Sequence, residues 1–78
     1  MLKVKYLGIF PVTIPAEIPI ENKATLNEVM VTLIEACKMP EDYFWDHHLI
    51  LLNGRQPELE ETVADGDLLQ ILSYSEGG

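Results

Sequence analysis

The sequence ends in two glycines, Gly77 and Gly78, and this terminal pair is its first candidate for chemistry. With glycine near 7% of residues, two terminal glycines occur by chance in about 0.5% of chains. Neither residue has a Cβ atom, so the segment tolerates nearly any backbone conformation and is thin enough to enter a narrow channel. The group that such a tail would present is the carboxylate of Gly78, which needs no catalytic side chain beside it.

A second group of polar residues, Asp46-His47-His48 with Glu41 and Asp42 nearby, has the residue types of a metal site. Adjacent histidines at the start of a strand point to opposite sides, so only one of them could join a given site. No second cluster in the sequence has the ligand spacing of a zinc centre. We therefore predict surface or half-buried histidines and no metal.

Cys37 is the single cysteine among the 78 residues, which excludes an internal disulfide and a cysteine-ligated iron–sulfur cluster. It falls on an apolar helical stripe beside Leu33 and Ile34, so we predict a buried and inert thiol. No Ser–His–Asp or Cys–His arrangement suggests nucleophilic catalysis by a side chain.

The charge of the chain limits its partners. Thirteen acidic residues against five basic ones give a formal charge of −8. Such a surface repels the phosphates of nucleic acids and of anionic membranes, so neither is an expected partner. A basic protein partner fits better, although acidity alone also keeps a small domain in solution. No stretch approaches the roughly 20 apolar residues that span a bilayer, and the N-terminus does not resemble a secretory signal, so we expect a cytoplasmic protein.

The elements that position the tail begin with two strands. The first is predicted from about Leu2 to Phe10. The second alternates from Ile14 to Ile20, with Pro15 and Pro19 between the apolar residues. Both prolines lack an N–H donor on the same side of the strand, so that side must face solvent. The second strand is therefore predicted to lie at an edge of the sheet.

A helix and two more strands follow. Thr25 and Glu28 have the spacing of a capping box, and Pro40 should end the helix. Residues 41–48 are predicted to be an irregular connection. Strands are expected at 48–52, before an Asn-Gly turn, and at 68–72, where residues are apolar on both faces apart from Gln70. The apolar stripe of the helix comprises Leu26, Val29, Met30, Leu33, Ile34 and Cys37.

This order of elements describes an α+β fold of the ubiquitin-like β-grasp type. The expected sheet is mixed, has four to five strands with the last one central, and carries one main helix packed on one face. We assign residues 1–72 to this domain and residues 73–78 to a flexible C-terminal tail.

Turn and terminal residues in the last third of the chain occur in a distinctive order. They are Leu52-Asn53-Gly54-Arg55, then Leu59, then Asp65-Gly66-Asp67, a hydrophobic strand, and a short tail ending in Gly77-Gly78. This pattern resembles the MoaD/ThiS family, the small sulfur carriers of molybdopterin and thiamine biosynthesis. The resemblance covers the whole chain in length and element order, and the length is closer to the molybdopterin type.

The resemblance implies a reaction sequence at the carboxylate of Gly78. An E1-like adenylyltransferase of the MoeB/ThiF type would adenylate it with ATP, and a sulfur donor would convert the acyl-adenylate into a thiocarboxylate. The carrier would then donate this sulfur to the large subunit of a synthase, of the MoaE type in a molybdopterin synthase. ATP is used by the activating partner, so the carrier itself would bind no cofactor.

The resemblance also implies that the sheet face away from the helix docks these partners. Central strands that are apolar on both faces leave one face uncovered by a single helix, and an uncovered apolar face needs a partner. The predicted interface residues are Leu7, Ile9, Leu51, Leu69, Ile71 and Tyr74.

Three alternatives stay open at this point. A ubiquitin-like modifier joined to target lysines through Gly78 needs the same tail, because its conjugation also begins with adenylation. A thiamine-type sulfur carrier would differ only in its pathway. A β-grasp binding module whose terminal glycines are accidental would need neither glycine.

Overall fold

The computed structural model describes residues 1–21 and 23–74. Its elements in chain order are β1 (Leu2–Leu7), β2 (Glu17–Ile18), α1 (Leu26–Cys37), α2 (Glu41–His47), β3 (His48–Leu52) and β4 (Leu68–Ser73). Gly77 and Gly78 lie outside the described residues, so their predicted role is carried forward as a prediction. No helix within the described part of the chain is long and apolar enough to cross a membrane.

The four strands form one mixed sheet in the order β2-β1-β4-β3. β1 pairs antiparallel with β2 and parallel with β4, and β3 pairs antiparallel with β4. The sheet confirms the edge position of the second strand, although β2 is only two residues long and β1 ends at Leu7 instead of Phe10. It also confirms that β4 is central, because β4 lies between β1 and β3.

Helix α1 begins with the predicted capping box. The backbone N–H of Glu28 donates to the Thr25 hydroxyl at 3.3 Å, and the Thr25 N–H donates to the Glu28 carboxylate at 3.0 Å. These reciprocal bonds satisfy two donors that the first turn of a helix leaves unpaired. The backbone and hydroxyl hydrogen bonds from Thr25 lower the pKa of the Glu28 carboxyl.

Thr25→Ala is expected to lower the free energy of unfolding by about 1 kcal/mol, because it removes the hydroxyl that caps α1. In a domain of this size the melting temperature should fall by about 4–8 °C. Thr32→Ala is the matched control, since Thr32 is an exposed residue within α1 and caps neither end. An equal loss of stability in both variants would contradict the assigned cap.

The connection predicted to be irregular is instead a short helix, α2. Pro40 precedes its first residue with φ −57°, and Glu41 and Asp42 occupy the first turn, where acidic groups interact favourably with the helix dipole. Phe44 points into the core and is fully buried. Pro40 therefore both follows the end of α1 and precedes α2. The sequence did not predict α2 because seven residues are too few to show a clear helical period in the apolar positions.

The core lies between α1 and the sheet face that carries Leu2, Val4, Ile50 and Leu52. The predicted α1 stripe is confirmed for its first five residues, whereas Cys37 is half-buried and the prediction of a buried thiol was wrong. Cys37 lies in the last turn of α1, and partial burial raises the pKa of its thiol. The buried apolar residues are Leu2, Val4, Leu26, Val29, Met30, Leu33, Ile34, Phe44, Ile50, Leu52, Val63, Leu69 and Ile71.

The two turn motifs of the C-terminal third contact each other. Asn53 and Gly54 both have positive φ, 53° and 86°, as a tight hairpin-type turn requires. The Asn53 side chain donates to the Asp67 carboxylate and accepts from the Leu68 N–H, each at 3.0 Å. These bonds join the turn after β3 to the turn before β4, and they give both motifs a structural role.

Candidate functional site

The candidate site is the C-terminal end of β4, where the chain leaves the middle of the sheet. Ser73 is still part of β4 and pairs with His48, so the strand ends one residue past its predicted end at 72. The next residue is also held, because the Tyr74 N–H donates to the His47 carbonyl at 2.9 Å. Tyr74, the last residue that the structure describes, is therefore anchored beyond the end of β4.

The point where the chain leaves the end of β4 is here called the chain exit. The sheet face opposite α1, here called the outer face, carries a row of apolar residues beside the chain exit. Pairing of β1 with β4 places Leu7 next to Leu72, and pairing of β3 with β4 places Leu72 next to Leu49. In the adjacent row, the same register aligns Lys5, Gln70 and Leu51. The row nearest the end of β4 is thus wholly leucine, and the next row is mixed.

The prediction that Leu69 and Ile71 lie on the outer face was wrong. Both side chains are fully buried against α1, with 0% exposure. Alternation along β4 then puts Leu68, Gln70 and Leu72 on the outer face, where each is half-buried. Leucine or isoleucine occurs on both faces of the strand, and Gln70 is the one residue between 68 and 72 whose type marks the outer face.

The other predicted interface residues do lie at the surface. Leu7, Ile9 and Tyr74 are 47%, 68% and 51% exposed, and Leu51 is half-buried. Leu49 and Leu72 were missed by the sequence interpretation, which had no register to place them beside Leu7. The partner interface itself stays a prediction, but its exposed members cluster at the end of β4.

The charge of the outer face differs from that of the whole chain. Lys3 and Lys5 alternate with buried residues along β1 and are exposed on this face. Within the four described strands, Glu17 of β2 is the only acidic residue. Arg55 lies outside the strands and is paired with Glu61. The hydrogen bond from Arg55 lowers the pKa of the Glu61 carboxyl to about 2. The excess negative charge therefore lies mainly on the helices and loops.

The two histidines, His47 and His48, lie at the junction of α2 and β3. Among the described residues, no group of three or more His, Cys, Asp and Glu side chains is arranged to hold a metal ion. His47 is half-buried as predicted, whereas His48 is 1% exposed, so its prediction as a surface or half-buried residue was wrong. His48 shares the inward parity of Ile50 and Leu52 in β3, a signal of burial that the sequence contained.

The sheet order, the crossover helix α1 and the central C-terminal strand define a ubiquitin-like β-grasp fold. The crystal structure of SAMP1 from Haloferax volcanii, a ubiquitin-like small archaeal modifier protein, has the same fold. It matches with a TM-score of 0.69 over 96% of this chain and 98% of SAMP1, at 21% sequence identity. At this identity the likeness establishes the fold. No protein-family model and no curated protein sequence matches the chain.

Proposed function

We propose that this chain is a sulfur-carrier protein whose working group is the carboxylate of Gly78, and that it acts in cofactor biosynthesis as the small subunit of a molybdopterin synthase-type complex. The observation that carries the proposal is the position of the chain exit. The central strand of a ubiquitin-like β-grasp ends beside a partly exposed apolar row, and Gly78 is the fourth residue after the anchored Tyr74.

The proposed chemistry takes place at the chain end and not at a side chain. The Gly78 carboxylate attacks the α-phosphate of ATP on an E1-like adenylyltransferase, which forms an acyl-adenylate and releases pyrophosphate. Sulfide from a sulfur donor then attacks the acyl carbon and displaces AMP, which leaves a thiocarboxylate. The catalytic groups belong to the partners, and the carrier supplies the acyl group, its positioning and a docking surface.

The length of the tail sets a requirement on every partner. Four residues span at most about 14 Å when fully extended. An active site that uses the Gly78 carboxylate must therefore lie within about 14 Å of Tyr74. A partner that docks on the outer face next to Leu7 and Leu72 satisfies this requirement, because that row borders the exit.

Leu7→Asp is expected to raise the apparent KM of the activating enzyme for this chain by about tenfold or more. Burying a leucine side chain contributes about 1.5–3 kcal/mol, and 1.4 kcal/mol corresponds to a factor of ten. The measurement is pyrophosphate exchange into ATP at varied carrier concentration. Val31→Asp is the matched control, because Val31 is 42% exposed on α1, on the opposite side of the sheet. Equal effects of the two variants would contradict docking on the outer face.

A ubiquitin-like protein modifier is the second candidate, and the likeness to SAMP1 favours it. A modifier would be adenylated in the same way and would then form an isopeptide bond between Gly78 and a target lysine. Conjugates that resist reducing agent on a denaturing gel would support this function, while a pure carrier forms none.

The proposed function is tested by carrier-dependent exchange of labelled pyrophosphate into ATP by an E1-like enzyme from the same source. Exchange that requires the full-length chain supports activation of its terminal carboxylate. If the enzyme activates another carrier and gives no exchange with this chain, the proposed function is wrong.

A further inference from the structure

The end of β4 is held by hydrogen bonds from two sides. On one side, the N–H of Ile9 donates to the Ser73 hydroxyl at 3.1 Å, from the loop that follows β1. On the other, the Tyr74 N–H donates to the carbonyl of His47 at 2.9 Å, at the junction of α2 and β3. The chain exit is therefore fixed relative to two segments that are distant in sequence.

Both segments are anchored by one pair of side chains, Tyr6 and His48. The Tyr6 hydroxyl lies 2.9 Å from Nε2 of His48, and it also accepts a hydrogen bond from the Phe10 N–H at 3.3 Å. Nδ1 of His48 lies 3.0 Å from the carbonyl oxygen of Phe44. A carbonyl only accepts, so Nδ1 donates to it, and in the neutral ring Nε2 accepts from the Tyr6 hydroxyl.

The hydrogen bonds therefore run in one direction, from the Phe10 N–H to Tyr6, from Tyr6 to His48, and from His48 to Phe44. Partial burial raises the pKa of the Tyr6 hydroxyl, which keeps its proton available for His48. The His48 ring is 1% exposed and stacks on Phe44 with 4.5 Å between ring centroids. Burial and stacking hold this pair in one arrangement.

Gly8 shows how closely the loop after β1 packs on this pair. A Cβ atom added at Gly8 would overlap the Tyr6 hydroxyl oxygen and the ring carbon that carries it. A side chain at this position would have to displace the ring of Tyr6 or the loop. The backbone at Gly8 therefore lies directly against the Tyr6 side chain.

We propose that Tyr6 and His48 are positioning residues that fix the place and direction in which the C-terminal segment leaves the sheet. The inference rests on the proposed function for its consequence, because the position of Tyr74 determines where a tail of four residues can present the Gly78 carboxylate. A misplaced exit lowers the rate at which the Gly78 carboxylate is adenylated while the outer face still docks, since the reacting atoms must be aligned within a fraction of an ångström.

A merely structural role predicts a different kinetic result. The carrier is a substrate of its activating enzyme, so partial unfolding only lowers the concentration of usable carrier. That change raises the apparent KM and leaves kcat unaltered. A displaced exit in a folded, docked carrier lowers kcat instead, and the two effects are separable.

Tyr6→Phe is the direct test, because it removes the hydroxyl and leaves the ring. We expect amide hydrogen exchange at Ile9, Phe10 and Tyr74 to accelerate at least tenfold, while the buried β4 amides keep their protection. We also expect kcat for adenylation to fall about tenfold with KM within twofold. Tyr43→Phe is the control, because Tyr43 is 43% exposed and its hydroxyl is outside these hydrogen bonds. Gly8→Ala should give the Tyr6→Phe result by displacing the pair.

The outcomes separate this inference from the proposed function. Unchanged exchange at Tyr74 in Tyr6→Phe, or an unchanged kcat with an active enzyme, overturns the positioning role while leaving the carrier function intact. Faster exchange at Tyr74, with no adenylation of the wild-type chain, supports the fixed exit and overturns the carrier function.

Discussion

Deleting Gly78 is expected to reduce adenylation by more than 100-fold and to leave the fold unchanged. The carboxylate of the shortened chain would be that of Gly77, about 3.5 Å short of its former reach. A displacement of even 1 Å at the reacting atom can cost about 100-fold in rate. The measurements are pyrophosphate exchange for activity and thermal unfolding for stability, since Tyr74 and the residues before it are untouched.

Glu76→Gln is the matched control for this deletion, because it changes the tail by one charge and keeps its length. It should retain activation within a few-fold of wild type. Activation that survives removal of Gly78 would show that the terminal carboxylate is not the group the enzyme uses, and the binding-module alternative would then gain support.

Leu69→Ala is expected to destabilise the domain by about 2–5 kcal/mol, while Leu68→Ala should cost less than about 1 kcal/mol. The two leucines are adjacent in β4, but Leu69 is fully buried against α1 and Leu68 is half-buried on the other face. A domain of this length is stable by only about 4–12 kcal/mol in total. The first variant should therefore be close to unfolding at physiological temperature.

Urea unfolding of the two variants measures this difference, with the midpoint at constant slope reporting the change in stability. Equal losses would mean that the burial assigned to the two faces of β4 is wrong. A larger loss for Leu68→Ala would reverse the faces and restore the interface in which Leu69 docks a partner.

Local signals predicted the parts of the fold that depend on neighbours in sequence. The capping box could be predicted because its two residues, Thr25 and Glu28, lie within one helical turn of each other. Pro15 and Pro19 identified β2 as an edge strand, since a missing donor limits pairing whatever the partner strand is. The prolines also explain why β2 forms only two paired residues.

Signals with two meanings were interpreted in only one of them. Pro40 was correctly predicted to follow the end of α1, but its second role at the start of α2 was missed. The inward orientation of Leu69 and Ile71 could have been predicted from Gln70, which lies between them. A polar residue in a strand that a helix covers on one face indicates the uncovered face. That argument needs only alternation, and it gives the arrangement that the structure has.

Contacts between residues that are distant in the chain could not be predicted from the sequence. Tyr6 and His48 are 42 residues apart, and nothing in either segment specifies that their side chains meet. The row of Leu7, Leu72 and Leu49 depends on the register of three strands, which tertiary packing sets. The sequence therefore suggested a sheet surface for the partner interface, which stays a prediction, but it did not supply the register that places Leu49 and Leu72 beside Leu7.

The central claim is most directly tested by the intact mass of the full-length chain after incubation with ATP, an E1-like enzyme from the same source and a sulfide donor. The proposed function predicts a mass gain equal to the replacement of one oxygen by sulfur, absent when Gly78 is deleted. An unchanged mass, with an enzyme that thiocarboxylates another carrier in the same mixture, would contradict the carrier function.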